Sequence, residues 1–566
     1  MTRRAQLKGI AASIGVAVGP ARMIGIEHGR RPHRRIEQGA VARELARFAQ
    51  AVSSSRAEIE AAKQELTQRH GPTYAPILDV YLLMHADALL IDAIADVIRE
   101  ERINAEWAVS QVVERLRRPL LEDASPYFQE RANDIEHVRE HLLRHLSGEQ
   151  RSERPADGPT VLIARDLSPA DAVHMLAPPT VGLVTELGAE SSHTAILART
   201  FGVPAVVGVG PLPIEIEDGE PVLVDGFSGK VTLGAALDER KAAEGRRDRF
   251  RAFLESERST EAVTRDGVSI SVAANIELLS EVEAALQNGA EGIGLYRTEF
   301  MCLDRGEPPR EEEQLELYRK VVSGMAPRTV VFRTFDWRGD KRLRAHDLGE
   351  RQRAWLKTQV RAVLRASGEG SVALMFPMVA TVAEFLGARA LVEECRAELR
   401  EQSATLKPVA VGMMVEVPSA ALLAERFAEH ADFFAVGTND LAHHTLAFDR
   451  RDSGSAANPL DPAVLGLLER TISAAIRAGI PCSMCGGMAA DPVALGLALG
   501  FGYRQFSVPA SAVPLARAVI RNVDVEAASA VARDALGCGS ADAVRQLLLE
   551  RLGPELGALW KEQGLV

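Results

Sequence analysis

The sequence predicts an α/β multidomain protein, in which a small α/β domain with an inserted helical bundle is followed by a C-terminal (β/α)8 TIM barrel. Three observations support this prediction. The chain has 566 residues, more than one hydrophobic core usually holds, so several domains are expected. A block near the N-terminus is poor in glycine and rich in helix-forming residues. Residues 261–566 alternate short apolar runs with helical stretches.

The helical bundle is expected over residues 36–148. Only Gly71 interrupts the stretch between Gly39 and Gly148, and Ala, Glu, Leu, Arg and Gln dominate it. Within it, YAPILDVYLLMHADALLIDAIADVI carries apolar residues three and four positions apart, a spacing typical of amphipathic helices. We therefore expect these helices to pack against one another as a bundle.

The small α/β domain is expected over residues 1–35 and 149–235. The apolar runs PTVLIA, VGLVTE, PAVVGV and PVLVDG are separated there by Gly, Pro and Asp, as strands are. The opening segment GIAASIGVAVGPARMIG has the same pattern of short apolar runs, which indicates that the bundle is inserted into this domain. The charged, helix-prone residues 236–260 fit either a connecting helix or a surface helix of a neighbouring domain.

The barrel prediction depends on eight short apolar runs. In chain order they are VSISVAA, GIGLY, TVVFRT, VALMFPMV, VGMMVEV, FFAVGT, PCSMCG and RQFSV. In a (β/α)8 barrel the active site lies at the C-terminal ends of the strands. The polar and reactive side chains that close or follow these runs are Arg297, Glu299, Arg333, Asp336, Glu416, Asn439, Asp440 and Cys485.

Overall composition argues against several classes of partner. The formal net charge of −12 and the pI near 5.7 disfavour nucleic acid and anionic membrane surfaces. We see neither a signal peptide nor an apolar run of about 18 residues that could span a membrane. The five cysteines show no disulfide spacing and suit a reducing compartment. The sequence therefore predicts a cytoplasmic location.

Charged residues at the predicted strand ends suggest a site for an anion and a metal. Arg297 and Arg333 close two different strands, and two guanidinium groups suit a phosphate or a carboxylate, although each arginine alone would as readily pair with an acid such as Glu299. Glu416 and Asp440 follow neighbouring strands. Their carboxylates favour Mg²⁺, and the alternative is a helix N-cap, which fits Asp440 better than Glu416.

Two cysteines form a C-x-x-C pair in PCSMCG, but no second pair or His pair follows at zinc spacing. Zinc and redox chemistry are therefore disfavoured. Cys482 falls within the predicted strand and is expected to pack. Cys485 falls at its end, where a thiol can donate a proton.

His193 lies in GLVTELGAESSHTAILARTFGVPAVVGVG, where a strand and a glycine-containing turn lead into a helix that begins near Ser191 or Ser192. The first turn of a helix offers unpaired N–H groups and the positive end of the helix dipole to an anion. A histidine considered alone is more often a cap or core residue. This context instead favours an exposed histidine that carries a phosphoryl group.

Taken together, these motifs resemble those of enzyme I of the bacterial phosphotransferase system, the phosphoenolpyruvate-protein phosphotransferase family. SSHTAILAR followed by PAVVG resembles its phosphohistidine motif. GIGLYRTEF, FRTFD, GDK, MVEVP, GTNDL, LAFDR and MCGG resemble its phosphoenolpyruvate site. KGIAASIGVAVGP and SPYFQERANDIEHVREHLL resemble its start and the end of its carrier-binding insert. The resemblance covers essentially the whole chain, in the expected order.

The resemblance implies a role for each candidate residue. His193 would take the phosphoryl group from phosphoenolpyruvate and pass it to a histidine of HPr, a small carrier protein, with release of pyruvate. Cys485 would protonate the enol product, and Glu416 and Asp440 would bind Mg²⁺. The residues that would bind the substrate are Arg297, Arg333, Asn439, Asp440 and Arg450. The bundle would dock HPr, the His193 domain would swivel between sites, and the barrel would form a homodimer.

The chain departs from the family pattern at several positions. The segment after Lys341, RLRAHDLGERQRAWLKT, is shorter than the family's and lacks a further arginine of the substrate site. The other departures are Ala189, Ala442, His443, His444 and Gly487. An alternative is therefore a weakened homologue that binds phosphoenolpyruvate as a sensor or regulator. A dikinase or synthase relative would also need an ATP-binding domain, which no segment offers.

Overall fold

A computed structural model describes residues 4–24, 33–70, 76–122, 126–148, 158–188, 192–212, 216–302, 309–335, 350–403, 405–447 and 457–562. These residues form two compact units. The described residues up to Phe250 belong to the first unit, and those from Arg251 onward belong to the second.

An eight-stranded sheet forms the centre of the first unit, in the order β1-β8-β7-β3-β4-β5-β6-β2. Its strands are β1 Ala5–Lys8, β2 Ile10–Ser13, β3 Val16–Ile24, β4 Thr160–Ala164, β5 Thr180–Thr185, β6 Ala205–Val207, β7 Pro221–Asp225 and β8 Lys230–Leu233. Strand β3 precedes the bundle in the chain and pairs in parallel with β4, which follows it. The predicted insertion of the bundle into the α/β domain is thus confirmed.

The inserted bundle contains five helices, α1 Val41–His70, α2 Pro76–Met84, α3 Ala88–Glu101, α4 Ala105–Glu122 and α5 Pro126–Ser147. After it come α6 Pro169–Met175, α7 His193–Phe201 and α8 Leu237–Glu257. Helix α8 covers most of residues 236–260. A connecting helix was one of the two predictions for this segment.

One hydrophobic core joins the bundle to the sheet. Ile59 of α1 and Leu142 of α5 belong to the same buried cluster as Leu162 of β4 and Leu183 of β5. The intervening residues of β4 face a second cluster on the other side of the sheet. Because β4 is buried on both faces, its sequence is a continuous apolar run rather than an alternating one.

The second unit contains a closed barrel of eight parallel strands. They are β9 Ser271–Ile276, β10 Ile293–Arg297, β11 Val330–Arg333, β12 Val372–Phe376, β13 Ala410–Val415, β14 Phe434–Val436, β15 Cys482–Met484 and β16 Gln505–Pro509. Each strand falls on one of the eight predicted runs, and β16 closes the barrel by pairing with β9. The (β/α)8 prediction is confirmed.

Helices follow and surround these strands. They are α9 Glu281–Gln287, α10 Glu311–Met325, α11 Glu350–Ala366, α12 Val382–Glu401, α13 Pro418–Leu422, α14 Ala424–Ala428, α15 Thr438–Thr445, α16 Pro462–Ala478, α17 Pro492–Phe501, α18 Val513–Asn522, α19 Val525–Ala535, α20 Ala541–Arg551 and α21 Gly553–Glu562. A large apolar cluster joins strands to helices. A smaller one, with Leu295, Met375, Met414, Ala435 and Cys485, matches side chains that point into the barrel.

Across the described ranges, no helix has both the length and the apolar character that crossing a bilayer requires.

Candidate active-site residues

His193 is the first residue of α7, at the start of the helix as the sequence predicted. Ser192 is the N-cap, and its side-chain oxygen accepts a hydrogen bond from the Ala195 amide at 3.3 Å. Thr194 donates its hydroxyl to the Leu167 carbonyl at 3.0 Å, which ties the first helical turn to the loop after β4. This arrangement leaves a helix N-terminus at the histidine, where an attached phosphate would be favoured.

The sequence predicted an exposed His193, whereas its side chain is half-buried. Helix α5 of the bundle supplies Asp134 and His137 to its surroundings, and the loop after β4 supplies Asp166. Burial lowers the pKa of His193, and the neighbouring His137 lowers it further, while the two carboxylates oppose this shift. The net pKa is below that of an ordinary histidine, which favours the neutral imidazole that a nucleophile needs.

In the barrel, Arg297 and Arg333 end neighbouring strands and are register partners across β10 and β11. Both are already paired with acids. Arg297 Nη1 donates to Glu277 Oε1 at 2.6 Å, and Arg333 Nη2 donates to Glu299 Oε1 at 2.7 Å. The ion pair between Arg333 and Glu299, which the sequence left as an alternative, is therefore present in the structure. A substrate anion would have to compete with these carboxylates for the guanidinium groups.

Glu416 and Asp440 follow the neighbouring strands β13 and β14. Glu416 is 1% exposed, and its Oε1 accepts a hydrogen bond from the Met378 amide. Its other oxygen points toward Gly437, where an added Cβ would lie 3.1 Å from Oε2. Gly437 is also the N-cap of α15, so Asp440, three residues on, is not the capping side chain. These two carboxylates fit the oxygen ligands that Mg²⁺ prefers.

Within the described part of the chain, no group of three or more His, Cys, Asp or Glu side chains could hold a metal ion. A metal at Glu416 and Asp440 would therefore need substrate oxygens and water to complete its shell. Mg²⁺ usually binds in this way, through one or two carboxylates.

Cys485 follows β15 and is buried beside the same groups. Its amide donates to the Val436 carbonyl at 3.1 Å, and its thiol faces that carbonyl at 3.4 Å. Burial raises the pKa of Cys485 to about 12, lowered in part by Arg297 and Arg333 and raised by Glu416. These charges share one neighbourhood with the thiol, which stays protonated at neutral pH. Cys482 lies in β15 and is buried, as predicted for a packing residue.

Asn439 is exposed, and its Oδ1 accepts a hydrogen bond from the Gly487 amide at 3.0 Å. This contact links the loop after β14 to the loop after β15. His443 contacts the Asn439 carbonyl through Nδ1 at 2.7 Å. Arg450, the remaining predicted substrate ligand, lies outside the described residues, as do Asp336 and Lys341.

Sequence reasoning missed Glu277 and Thr438. Glu277 directly follows β9 and binds Arg297, so reading three residues beyond the first apolar run would have found it. The buried Thr438 hydroxyl has no hydrogen-bond partner among the described residues. It lies so close to Gly486 that an added Cβ there would be 2.0 Å from it, a closeness that the sequence does not reveal. Arg353 pairs with Glu394 of α12 at 3.0 Å.

Comparisons with known proteins agree with this arrangement of domains. Three family descriptions match the chain: "PEP-utilising enzyme, N-terminal" over residues 8–131, "mobile domain" over 156–229, and "PEP-binding domain" over 251–525. The chain is 38% identical over 567 residues to the phosphoenolpyruvate-protein phosphotransferase of Bacillus sp. (strain S), covering 96% of this chain and 97% of the relative. The chain belongs to the phosphoenolpyruvate-protein phosphotransferase family.

Other members are nearly as similar. The proteins of that name from Geobacillus stearothermophilus and Staphylococcus carnosus (strain TM300) are 37% and 36% identical to this chain. Each match covers 96% of this chain, and 97% and 99% of the respective relative. The family likeness therefore extends over both units, including the helix that begins at His193 and the strand ends of the barrel.

Proposed function

We propose that this protein is a phosphoenolpyruvate-protein phosphotransferase. In this reaction His193 takes a phosphoryl group from phosphoenolpyruvate, passes it to a histidine of an HPr-like carrier, and pyruvate is released. The observation that carries the proposal is the cluster at the barrel strand ends. There two arginines, Arg297 and Arg333, and the carboxylate of Glu416 lie near enough to the protonated thiol of Cys485 to act on it electrostatically. The arginines suit an anionic substrate, and the thiol suits a reaction whose product must be protonated.

The protein takes little covalent part in the transfer step. The bond between phosphorus and the enol oxygen breaks as a bond from phosphorus to an imidazole nitrogen forms. The enolate that leaves takes the thiol proton of Cys485 and becomes pyruvate. Arg297 and Arg333 stabilise the charge on the transferred group by exchanging Glu277 and Glu299 for substrate oxygens. Water in the site then returns a proton to the thiolate.

We infer that Glu416 and Asp440 hold Mg²⁺, with Asn439 beside them to orient the substrate. The ion, when bound, supplies positive charge that offsets the negative charge of the phosphate. The buried carboxylate of Glu416, fixed by the Met378 amide, supports this inference because it presents one oriented oxygen toward α15.

The remaining parts of the proposal concern the domains. His193 belongs to the first unit and the barrel to the second. In this proposal the α/β domain, residues 1–35 and 149–235, swivels to bring His193 to the phosphoenolpyruvate site and to the carrier in turn. The bundle, residues 36–148, would then present the docking surface for the carrier. We expect the barrel, residues 261–566, to form a homodimer, and the reaction to take place in the cytoplasm, where thiols remain reduced.

The deciding experiment is phosphorylation of the purified full chain by labelled phosphoenolpyruvate and Mg²⁺. The expected result is stoichiometric, acid-labile phosphate on the peptide that contains His193, release of one pyruvate, and loss of the label to an HPr-like carrier. His145→Ala serves as a control, since that histidine is paired with Glu58 elsewhere in the unit. No labelling at millimolar phosphoenolpyruvate would refute the proposal. Light scattering tests the dimer separately.

A further inference from the structure

A chain of four polar side chains connects the bundle to the loop beside His193. Tyr81 of α2 donates its hydroxyl to Asp134 Oδ1 at 2.6 Å. His137 Nδ1 lies 3.2 Å from the same hydroxyl oxygen, and His137 Nε2 lies 3.1 Å from Asp166 Oδ2. Tyr81, Asp134 and His137 come from two helices of the bundle, and Asp166 comes from the loop after β4.

The hydrogen positions in this chain follow from its geometry. Tyr81 has a single hydroxyl proton, and it goes to Asp134, so the phenolic oxygen must accept from His137 Nδ1. The other ring nitrogen faces the carboxylate of Asp166, so it must also donate. Both nitrogens of His137 therefore carry protons, and the ring is an imidazolium held between two carboxylate-bearing segments.

The charge state of His137 agrees with this assignment. Burial disfavours its charged form, but Asp166, through charge and hydrogen bond, and Asp134 outweigh burial and raise its pKa. Two of the four side chains are closed to water, since Tyr81 is 2% exposed and Asp134 is 3% exposed, whereas the side chains of His137 and Asp166 are 15% and 22% exposed. A charge held in such a place acts strongly on its neighbours because little solvent screens it.

The four side chains are linked to His193 through the backbone. Asp166 is followed by Leu167, whose carbonyl accepts the Thr194 hydroxyl in the first turn of α7. The charged groups that act on His193 from the elements around it are the same three: Asp134, His137 and Asp166. The chain thus fixes the helical turn that carries His193 and provides the charges around its ring.

We propose that Tyr81, Asp134, His137 and Asp166 form a positioning relay that holds His193 against the bundle as a neutral phosphoryl acceptor. The relay lies beyond the residues that the reaction itself requires, and it rests on the proposed function of His193. The imidazolium of His137 disfavours a second positive charge on His193, while the two carboxylates fix His137. In this proposal each of the four acts through His193 rather than on the reacting atoms, so each is a positioning residue.

The test uses three variants of the full chain: His137→Gln, the double variant His137→Gln/Asp166→Asn, and Tyr81→Phe. The His193 ring is titrated by nuclear magnetic resonance without substrate, and the rate of phosphorylation by phosphoenolpyruvate is measured against pH. His137→Gln removes a positive charge, so the His193 pKa rises by about one unit. Asp166→Asn is made in the His137→Gln background, where the carboxylate can act only directly on His193, so removing its negative charge lowers the pKa relative to His137→Gln alone. Tyr81→Phe leaves Nδ1 of His137 without its acceptor and shifts the His193 pKa upward with little loss of packing.

The acidic limb of the rate profile should move with each titration, while KM for phosphoenolpyruvate stays unchanged because the barrel is untouched. His145→Gln is the matched control. His145 lies on the same helix and pairs with Glu58 at 2.8 Å, but it is not among the groups that act on His193. We expect no shift from this control.

Opposite shifts, upward from His137→Gln and downward when Asp166→Asn is added to it, would support the relay, because a purely structural defect moves both variants the same way. Shifts in the same direction, or shifts no larger than that of His145→Gln, would overturn it. Since the titration needs no phosphoryl transfer, it reports on the relay even if the natural chain accepts no phosphate. Failure of the natural protein to accept phosphate would instead refute the proposed function.

Discussion

Gly486 provides a direct test of how closely the loops after β14 and β15 must approach each other. A Cβ at this position would lie 2.0 Å from Thr438 Oγ1 and 2.6 Å from the Thr438 amide nitrogen, whereas ordinary contacts lie between 3.4 and 4 Å. The first atom belongs to a side chain that can rotate, but the second is backbone. Gly486→Ala therefore forces the loop after β14 and the loop after β15 apart.

The size of the effect follows from the overlap. Overpacking of this kind costs about 1–3 kcal/mol of unfolding free energy, and contact with backbone puts this case at the upper end. The loop after β14 carries Asn439 and Asp440, and Cys485 directly precedes the substituted residue. A displacement of about 1 Å at reacting groups can reduce the rate roughly 100-fold. We expect both losses in Gly486→Ala.

The assay combines urea unfolding of the variant with its rate of phosphorylation by phosphoenolpyruvate. Gly466→Ala is the control. That glycine lies within α16, and nothing lies within 4 Å of an added Cβ. There alanine should stabilise the helix by about 0.5–1 kcal/mol and leave the rate unchanged. Wild-type stability and rate in Gly486→Ala would show that the two loops are not held at this distance.

Four further outcomes are expected. His193→Ala should incorporate no acid-labile phosphate while it keeps its circular dichroism spectrum; stable labelling would exclude this histidine as the acceptor. Glu416→Gln and Asp440→Asn should lose Mg²⁺-dependent turnover but still bind an HPr-like carrier in pull-down; normal turnover would show that neither carboxylate holds the metal. Cys485→Ala should slow pyruvate release by about 100-fold, because its thiol, with the pKa raised to about 12 by burial, is the proposed proton donor; an unchanged rate would assign the proton to water. Burial lowers the pKa of His85 to about 4, so lowering the pH from 6.5 toward 4 should destabilise the bundle by up to about 3 kcal/mol. The Tm should fall over the same pH range, and His85→Gln should make the Tm less dependent on pH.

The sign of the His85 effect follows from its proton binding. In the unfolded chain this ring protonates near its ordinary pKa of 6.5, whereas in the folded bundle it stays neutral until about 4. The unfolded state therefore binds more protons within that window, and stability falls as the pH falls. The buried contact with Ser55 at 2.8 Å explains why the neutral ring is held in place.

The fold could be predicted from the sequence because its signals are local. Eight apolar runs marked the eight barrel strands. Where a strand is buried on both faces, as β12 is, its sequence is a continuous apolar segment. The scarcity of glycine marked the bundle. The positions of Arg297, Glu416 and Cys485 at strand ends also followed, because in a (β/α)8 barrel chain order alone brings those ends to one face.

Contacts between residues far apart in sequence could not be read in this way. The sequence did not show that α5 covers His193, or that His137 joins Tyr81 to Asp166, because these contacts depend on how the bundle packs on the sheet. Nor did it show that Arg297 is paired with Glu277. Burial and charge at a side chain are set by all the elements around it, so only the tertiary structure decided the protonation of His193 and Cys485. The residue types, and hence the chemistry available to the protein, were determined by the sequence alone.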